Sequence, residues 1–422
     1  MLDTNSLKEI RRKIEINDLG DAIYDLNRAI EVDPNDPLAN YLRGKARFGL
    51  KQYESAIEDF IKAIELNPCV FCKTYIWIAH ARMNLKQYQD AIEDFTKAIE
   101  TDPNYANEFY SPSDYANAYY HRGMAKIHLK QYENAIEDFT KSIKFDPDES
   151  AKSYAWIAKS RMTLKQYEQA IEDFTKAIKL NPIDDGLYYL RGTARYEIEN
   201  NQEAIEDFTK SIELNPNDGN AYFFRGLAKF GLNQYQEALE DFTKSIEIDP
   251  NRSDAYLYCG FARMNLKQYQ EAIQYLNKSI EIDPNNDKPN MIRGLARMDL
   301  KQYQEAIEDF TKAIEYTPND GDAYYHRGLA RKNLKQYQEA KEDFTKATEF
   351  NTNILDNAYL LELCKRELHQ YQDAVNDLSN LLEKYPNDVN CLLLRASAKR
   401  KLGDNEGADA DDRKAEKLKN NL

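Results

Sequence analysis

Apolar residues recur along this chain at three- and four-residue spacings, and the pattern restarts at a fixed interval. The stretch from Gly219 to Arg252 reads GNAYFFRGLAKFGLNQYQEALEDFTKSIEIDPNR. Numbered 1 to 34, it predicts a helix A over positions 2–14 and a helix B over positions 16–30. The link between them is too short for anything but an antiparallel pair. Asp-Pro or Asn-Pro closes helix B, because the residue before a proline is pushed out of the α region. Neither helix can bury its apolar stripe alone, so adjacent pairs must stack.

Prolines mark the interval: Pro34, Pro68, Pro103, Pro147, Pro182, Pro216, Pro250, Pro284 and Pro318, then Pro386 two periods on. The steps are 34 or 35 residues except one of 44, and Thr352 stands where a proline is skipped. The period predicts twelve units in a single array over residues 1–422: a capping repeat at 3–36, repeats two and three at 37–105, an insertion at 106–115, repeats four to eleven at 116–388, and a polar capping repeat at 389–422.

Within the unit, an aromatic stands at position 4, a small residue at 8, Ala at 20, an aromatic at 24, a small residue at 27 and Pro at 32: Tyr222, Gly226, Ala238, Phe242, Ser245 and Pro250. Tyr324, Gly328, Ala340, Phe344 and Ala347 repeat the set. This pattern resembles the tetratricopeptide repeat (TPR) family, over nearly the whole chain. The resemblance implies an all-α fold, a right-handed superhelical solenoid of antiparallel helix pairs. The small residue at position 8 lets helix A approach helix B closely. Glu362 stands there in the eleventh unit, which predicts local loosening.

One departure from the family is systematic. Position 11 is basic throughout, as in Arg47, Lys126, Arg195 and Arg297, and position 7 is often arginine, as in Arg43, Arg122, Arg225 and Arg293. At about 100° per residue both face the packing side of helix A. Position 23 carries Asp in most units, among them Asp59, Asp138, Asp241 and Asp309. Buried guanidinium groups need partners, so internal Arg–Asp pairing is expected; an anion-binding ladder is the alternative. On helix B, positions 18, 19, 22, 25, 26 and 29 form the expected solvent arc.

The ends read as polar caps: Ile10 at position 8 with a charged RRKIE in the first unit, and Asp409, Asp412 and Glu416 at normally apolar positions in the last. The extra residues ANEFYSPSDY, 106–115, predict either an earlier start of helix A in unit four or a projecting loop, a spacer or a contact element using Phe109, Tyr110 and Tyr115.

Composition narrows the function. Lys plus Arg number 57 against 72 Asp plus Glu, a net charge of −15, which gives no bulk attraction to nucleic acid or an anionic membrane. No apolar run is long enough to span a bilayer, and the N-terminus has no signal-peptide core. Five cysteines, with one Cys69-x-x-Cys72 and no second pair, suit reduced thiols and a cytoplasmic location better than disulfides or a zinc site. No phosphate loop, nucleophile elbow or paired metal-ligand spacing occurs among the five histidines, so no enzyme activity, cofactor or metal is expected.

The resemblance implies a protein-interaction scaffold or adaptor, holding a peptide or helix of another protein in a concave groove lined by helix A. A structural subunit acting through its convex face or ends, and a co-chaperone or regulator of a separate enzyme, are the alternatives. The family's carboxylate clamp needs Lys at position 5 and Asn at 9, and no unit has that pair. On the side of helix A opposite the packing face, Lys45, Lys73, Lys152 and Lys159 make units two to five net +4. Units seven to eleven place Phe223, Leu227, Leu257, Phe261, Met291, Leu295, Tyr325, Leu329, Tyr359 and Leu363 there. The expected groove is mildly basic toward the N-terminus and apolar toward the C-terminus. Nucleic acid and membrane insertion are not expected, and the sequence does not set the oligomeric state.

Overall fold

A computed structural model describes residues 4–68, 74–100, 111–148, 150–350 and 354–419. Among these residues there are 24 α-helices and no strand. The chain divides into two compact units, residues 1–216 and 217–422. The first holds α1 Thr4–Glu15, α2 Leu19–Val32, α3 Pro37–Gly49, α4 Tyr53–Leu66, α5 Thr74–Asn84, α6 Tyr88–Glu100, α7 Pro112–His128, α8 Tyr132–Phe145, α9 Ala151–Thr163, α10 Tyr167–Leu180, α11 Asp185–Glu197 and α12 Asn201–Leu214. The second holds α13 Gly219–Gly231, α14 Tyr235–Ile248, α15 Ser253–Asn265, α16 Tyr269–Ile282, α17 Lys288–Asp299, α18 Tyr303–Tyr316, α19 Gly321–Asn333, α20 Tyr337–Glu349, α21 Ile354–Glu367, α22 Tyr371–Lys384, α23 Val389–Leu402 and α24 Asn405–Lys419. Odd-numbered helices are helix A of each repeat and even-numbered ones are helix B.

The turn from A to B is the same throughout. In the second repeat Gln52 N–H donates to the Arg47 carbonyl at 2.9 Å and Lys51 N–H to Phe48 at 2.9 Å, a Schellman motif. The residue at position 15 is therefore left-handed, with φ between 58° and 63° at Asn17, Lys51, Lys86, Lys130, Lys165, Glu199, Asn233, Lys267, Lys301, Lys335 and His369. In the twelfth repeat it is Gly403, with φ 85°. The carbonyl of the next residue, Gln52, accepts from Ala56 N–H and opens helix B. Helix B thus begins one residue later than expected, at Tyr53.

Phe60, Phe95, Phe139, Phe174, Phe208, Phe242, Phe310 and Phe344, all at position 24, are fully buried. A Cβ added at Gly226 would lie 2.6 Å from the Phe242 ring, so position 8 must be small for this ring to sit against helix A. Ser replaces Ala at position 27 without loss of packing. Ser142, Ser245 and Ser279 each donate to the carbonyl of the first residue in their repeat's own frame, Ala116, Gly219 and Ser253, at 2.9 Å.

The basic positions pair with aspartate. Arg122 donates to Asp138 through Nε at 2.9 Å and Nη2 at 2.7 Å, and Lys126 lies 2.7 Å from the same carboxylate. Arg293 and Arg297 hold Asp309 likewise, as Arg327 and Arg331 hold Asp343. The ladder reaches the twelfth repeat, where Arg395 and Lys399 hold Asp411. A third bond was not foreseen. Nη1 of Arg122 donates to Thr96 at 2.9 Å, that of Arg191 to Thr175, that of Arg327 to Thr311, and that of Arg395 to Ser379. Each acceptor stands at position 25 of the preceding repeat, which the helical wheel assigned to solvent. Position 25 is instead one end of a staple between repeats. Where position 7 is Ile78, Ile157 or Leu361 the side chain has no donor for such a staple, whereas the Cys259 thiol hydrogen-bonds Thr243 at position 25 of the preceding repeat.

Repeat eight breaks the set. Tyr275 replaces its aspartate, and Arg263 forms no ion pair among the described residues; it bonds the Gln268 side chain while its buried Nε has no partner. In repeat eleven, Glu362 is 1% exposed and lies 3.1 Å from Lys365. Burial pushes its carboxyl up to about 7. Helix A of repeat four starts early, at Pro112: Ser111 is its N-cap and forms a capping box with Asp114. Tyr115 stacks on Phe145 at 5.3 Å; Phe109, Tyr110, Cys69 and Cys72 lie outside the described residues.

Candidate functional site

Helix A of one repeat touches helix A of the next within each unit: α3 with α5, α5 with α7, α9 with α11, and α15 with α17. Positions 5, 6 and 9 of these helices meet across the joint. Lys45 lies over Trp77, with Nζ 5.3 Å from the ring centroid. The same position 9 to position 6 step brings His80 against His121, with centroids 4.4 Å apart. In the second unit the residues at these positions pack against a shared core, Leu227 and Tyr258 against one and Leu329 and Leu360 against another.

In the first unit two adjoining cavities, of about 310 and 270 Å³, share Tyr120 and Lys152 in their walls. His121, Asp146 and Ser153 line one; Trp156, Lys159 and Asp184 line the other. Trp156 Nε1 donates to the Tyr120 hydroxyl at 3.1 Å. Lys159 Nζ sits 4.7 Å from the Trp156 centroid. Burial, and then the neighbouring His80, push the His121 imidazole down to about 4, and burial lowers His80 as well. The pair is therefore uncharged at neutral pH.

In the second unit a cavity of about 300 Å³ is lined by Leu257, Tyr258, Phe261, Lys288, Met291 and Ile292. Phe261 is 39% exposed, while Leu257, only 6% exposed, forms part of the wall. Three of the expected groove residues, Leu257, Phe261 and Met291, come together here.

The other expected residues do not join this cavity. Phe223 is 4% exposed, among Phe224, Phe242 and Tyr258, with the Arg252 guanidinium 4.0 Å over its ring. It is core, because the next repeat covers position 5. Leu227, Leu295, Tyr325 and Leu329 are half-buried against the cores of their repeats. Tyr359 packs beside Leu378 and Leu392, and its hydroxyl engages Asp388. Leu363 is half-buried and Lys152 exposed; Lys73 lies outside the described residues. Tyr120, His121 and Trp156 were missed by sequence reasoning. The signal available for Trp156 and Trp77 was that they are the only two tryptophans in the chain. Among the described residues no group of three or more His, Cys, Asp or Glu could hold a metal ion.

Profiles described as TPR repeat match residues 12–51 and 294–335. Profiles described as tetratricopeptide repeat match residues 38–68, 72–105, 116–149, 151–184, 186–218, 229–298 and 321–354. The chain belongs to the tetratricopeptide repeat family. No curated protein matches it. Among solved TPR-like structures, MamA is 27% identical, with a TM-score of 0.39 over 40% of this chain and 93% of its own. YrrB, described as a TPR protein with an unusual peptide-binding site, is 24% identical, with a TM-score of 0.39 over 42% of this chain and 91% of its own. A tetratricopeptide repeat protein from Parabacteroides merdae is 18% identical, with a TM-score of 0.45 over 59% of this chain and 98% of its own. As a tetratricopeptide repeat protein the chain is of the interaction-scaffold type, and no helix among the described residues is long and apolar enough to cross a membrane.

Proposed function

We propose that this protein is a non-catalytic scaffold that holds a peptide or helix of another protein against the inner faces of its A helices. The observation that carries this reading is the apolar cavity at Phe261 and Met291. An open cavity of about 300 Å³ with an exposed phenylalanine in its wall is unusual on so charged a chain, and such patches mark interaction sites. A partner's apolar side chain entering it gains burial, while Lys288 at the rim favours an acidic neighbour. The location that fits is the cytoplasm. Cys259, Cys364 and Cys391 are buried free thiols, pushed by burial to about 12, 11 and 11, which suits a reducing compartment.

The test uses the full chain and the partner recovered with it from its native extract. Phe261→Ala and Met291→Ala should each weaken that complex by about 1–2 kcal/mol in a titration. Glu271→Lys and Glu305→Lys, on helix B, should leave it unchanged. The opposite result, loss through helix B alone, would replace the groove with a structural subunit working through its outer face.

A further inference from the structure

The first unit carries two stations built alike from aromatic and basic residues. In one, Tyr41 hydrogen-bonds to Trp77 and Lys45 lies over both rings, 5.8 Å from the tyrosine centroid and 5.3 Å from that of the tryptophan. In the other, Tyr120 accepts from Trp156 and Lys159 lies over the indole at 4.7 Å. The tyrosine stands at position 5 of one repeat and the tryptophan at position 6 of the next in both. The lysine comes from position 9 of the earlier repeat in the first station and of the later repeat in the second.

These lysines differ from the basic residues of the core. Arg43 and Arg47 share Asp59, and Arg122 and Lys126 share Asp138. Among the described residues no carboxylate pairs with Lys45, Lys152 or Lys159, in a chain with an excess of 15 acidic charges. An ammonium group has three donors. The indole face attracts the charge but accepts no conventional hydrogen bond. Lys45 and Lys159 are thus held in place by rings with their donors open, ready for an acceptor that the chain does not supply. Beside Lys159 the cavity of about 270 Å³ offers Ala155, Leu187 and Leu190 to an aliphatic group, and Lys152 as a second cation.

We infer that the first unit recognises an extended acidic segment of a partner protein, whose carboxylates reach Lys45 and Lys159 while its aliphatic side chains pack beside the tryptophans. This rests on the proposed function and names the chemistry of the segment at this face. A single-stranded nucleic acid is the poorer fit. The ring faces on which bases would stack are capped by the lysines.

The two stations hold the only tryptophans in the chain, so indole fluorescence reads them directly. The probe is a synthetic peptide repeating Glu-Leu-Asp-Ser, with a Gln-Leu-Asn-Ser peptide as control, titrated into the full chain. The acidic peptide should shift the emission and the amide peptide should not. Trp77→Phe and Trp156→Phe leave one reporter each. Lys159→Met keeps the aliphatic stem over the ring and should weaken the response of Trp156 by about tenfold, while Trp77 still responds. Added salt should weaken the wild-type response. Equal responses to both peptides, no response to either, or an unchanged response in Lys159→Met overturns the inference. So does tighter binding of oligothymidylate than of the acidic peptide. Loss of the peptide response with capture of the native partner intact overturns this inference and leaves the proposed function standing.

Discussion

Repeats four and five put Tyr120, His121, Trp156 and Lys159 at positions 5, 6 and 9 of their A helices. Repeats eight and nine put Leu257, Tyr258, Phe261, Met291 and Ile292 at the same positions. Even the rim matches, with Lys152 and Lys288 both at position 2. Beneath each surface lies the same frame of buried phenylalanine or leucine against a small residue, closed by the same left-handed turn. The comparison separates two sets of positions. Positions 8, 20, 24 and 27 hold one helix against another and tolerate little change. Positions 2, 5, 6 and 9 face the joint between A helices and are free to vary, so one scaffold carries a polar, aromatic surface in its first unit and an apolar one in its second.

If the frame is common to both regions, equivalent damage should cost the same in each. Arg122→Ala and Arg293→Ala each leave a buried aspartate short of its bidentate partner and remove a staple to the previous repeat. Each should lower stability by about 2–4 kcal/mol in denaturant unfolding followed by local amide exchange. A large loss in one and none in the other would mean that the frame is not shared.

Acid should move the two units in opposite directions. His121 is held near 4 in the folded state against an ordinary 6.5, so its contribution is present above pH 6.5 and lost as pH falls toward 4. Glu362 is raised to about 7 from 4.5, so its contribution is present below pH 4.5 and lost as pH rises toward 7. His121→Phe should remove the acid-side loss around α5–α8, and Glu362→Gln the loss toward neutrality around α21–α22, each by about 1–3 kcal/mol. Amide exchange of each variant against wild type across pH 4–8 measures both. A matching pH trend in the two units would refute the contrast.

The smallest effect sharpens the likeness. Lys165 and Lys335 occupy left-handed backbone at φ 59° and 63°. Lys165→Gly and Lys335→Gly should each stabilise by about 0.5 kcal/mol, since relief of the strained φ outweighs the added freedom of the unfolded chain. Thermal unfolding should show gains of similar size in both units.

Much of the frame was legible in the sequence because it recurs. The Arg–Asp pairs sit 16 and 12 residues apart in repeat after repeat, and helix boundaries fell within a residue or two of those found. The staples to position 25 were not legible. Threonine stands there before an arginine, as Thr96 does before Arg122, but also before Ile157, as Thr140 does, so residue type alone does not reveal the bond. The surface was harder still. A helical wheel places Phe223 and Phe261 on one face, yet Arg252 and Tyr258 bury the first and leave the second open. His80 and His121 meet by the ordinary position 9 to position 6 step, but the insertion sets them 41 residues apart. Their spacing therefore matches no other pair in the period.

The Schellman turn also decides where this architecture accepts length. Its left-handed residue and two crossing hydrogen bonds leave no slack between helix A and helix B, and none of the twelve copies varies in length. Every change of period, the ten residues at 106–115 and the single ones at 71 and 150, falls between helix B and the following helix A. A foreign segment grafted at a B-to-A connection would be carried as an appendage. One residue added beside Lys51 would rotate all of helix B about its axis by about 100° and turn Phe60 away from Gly44.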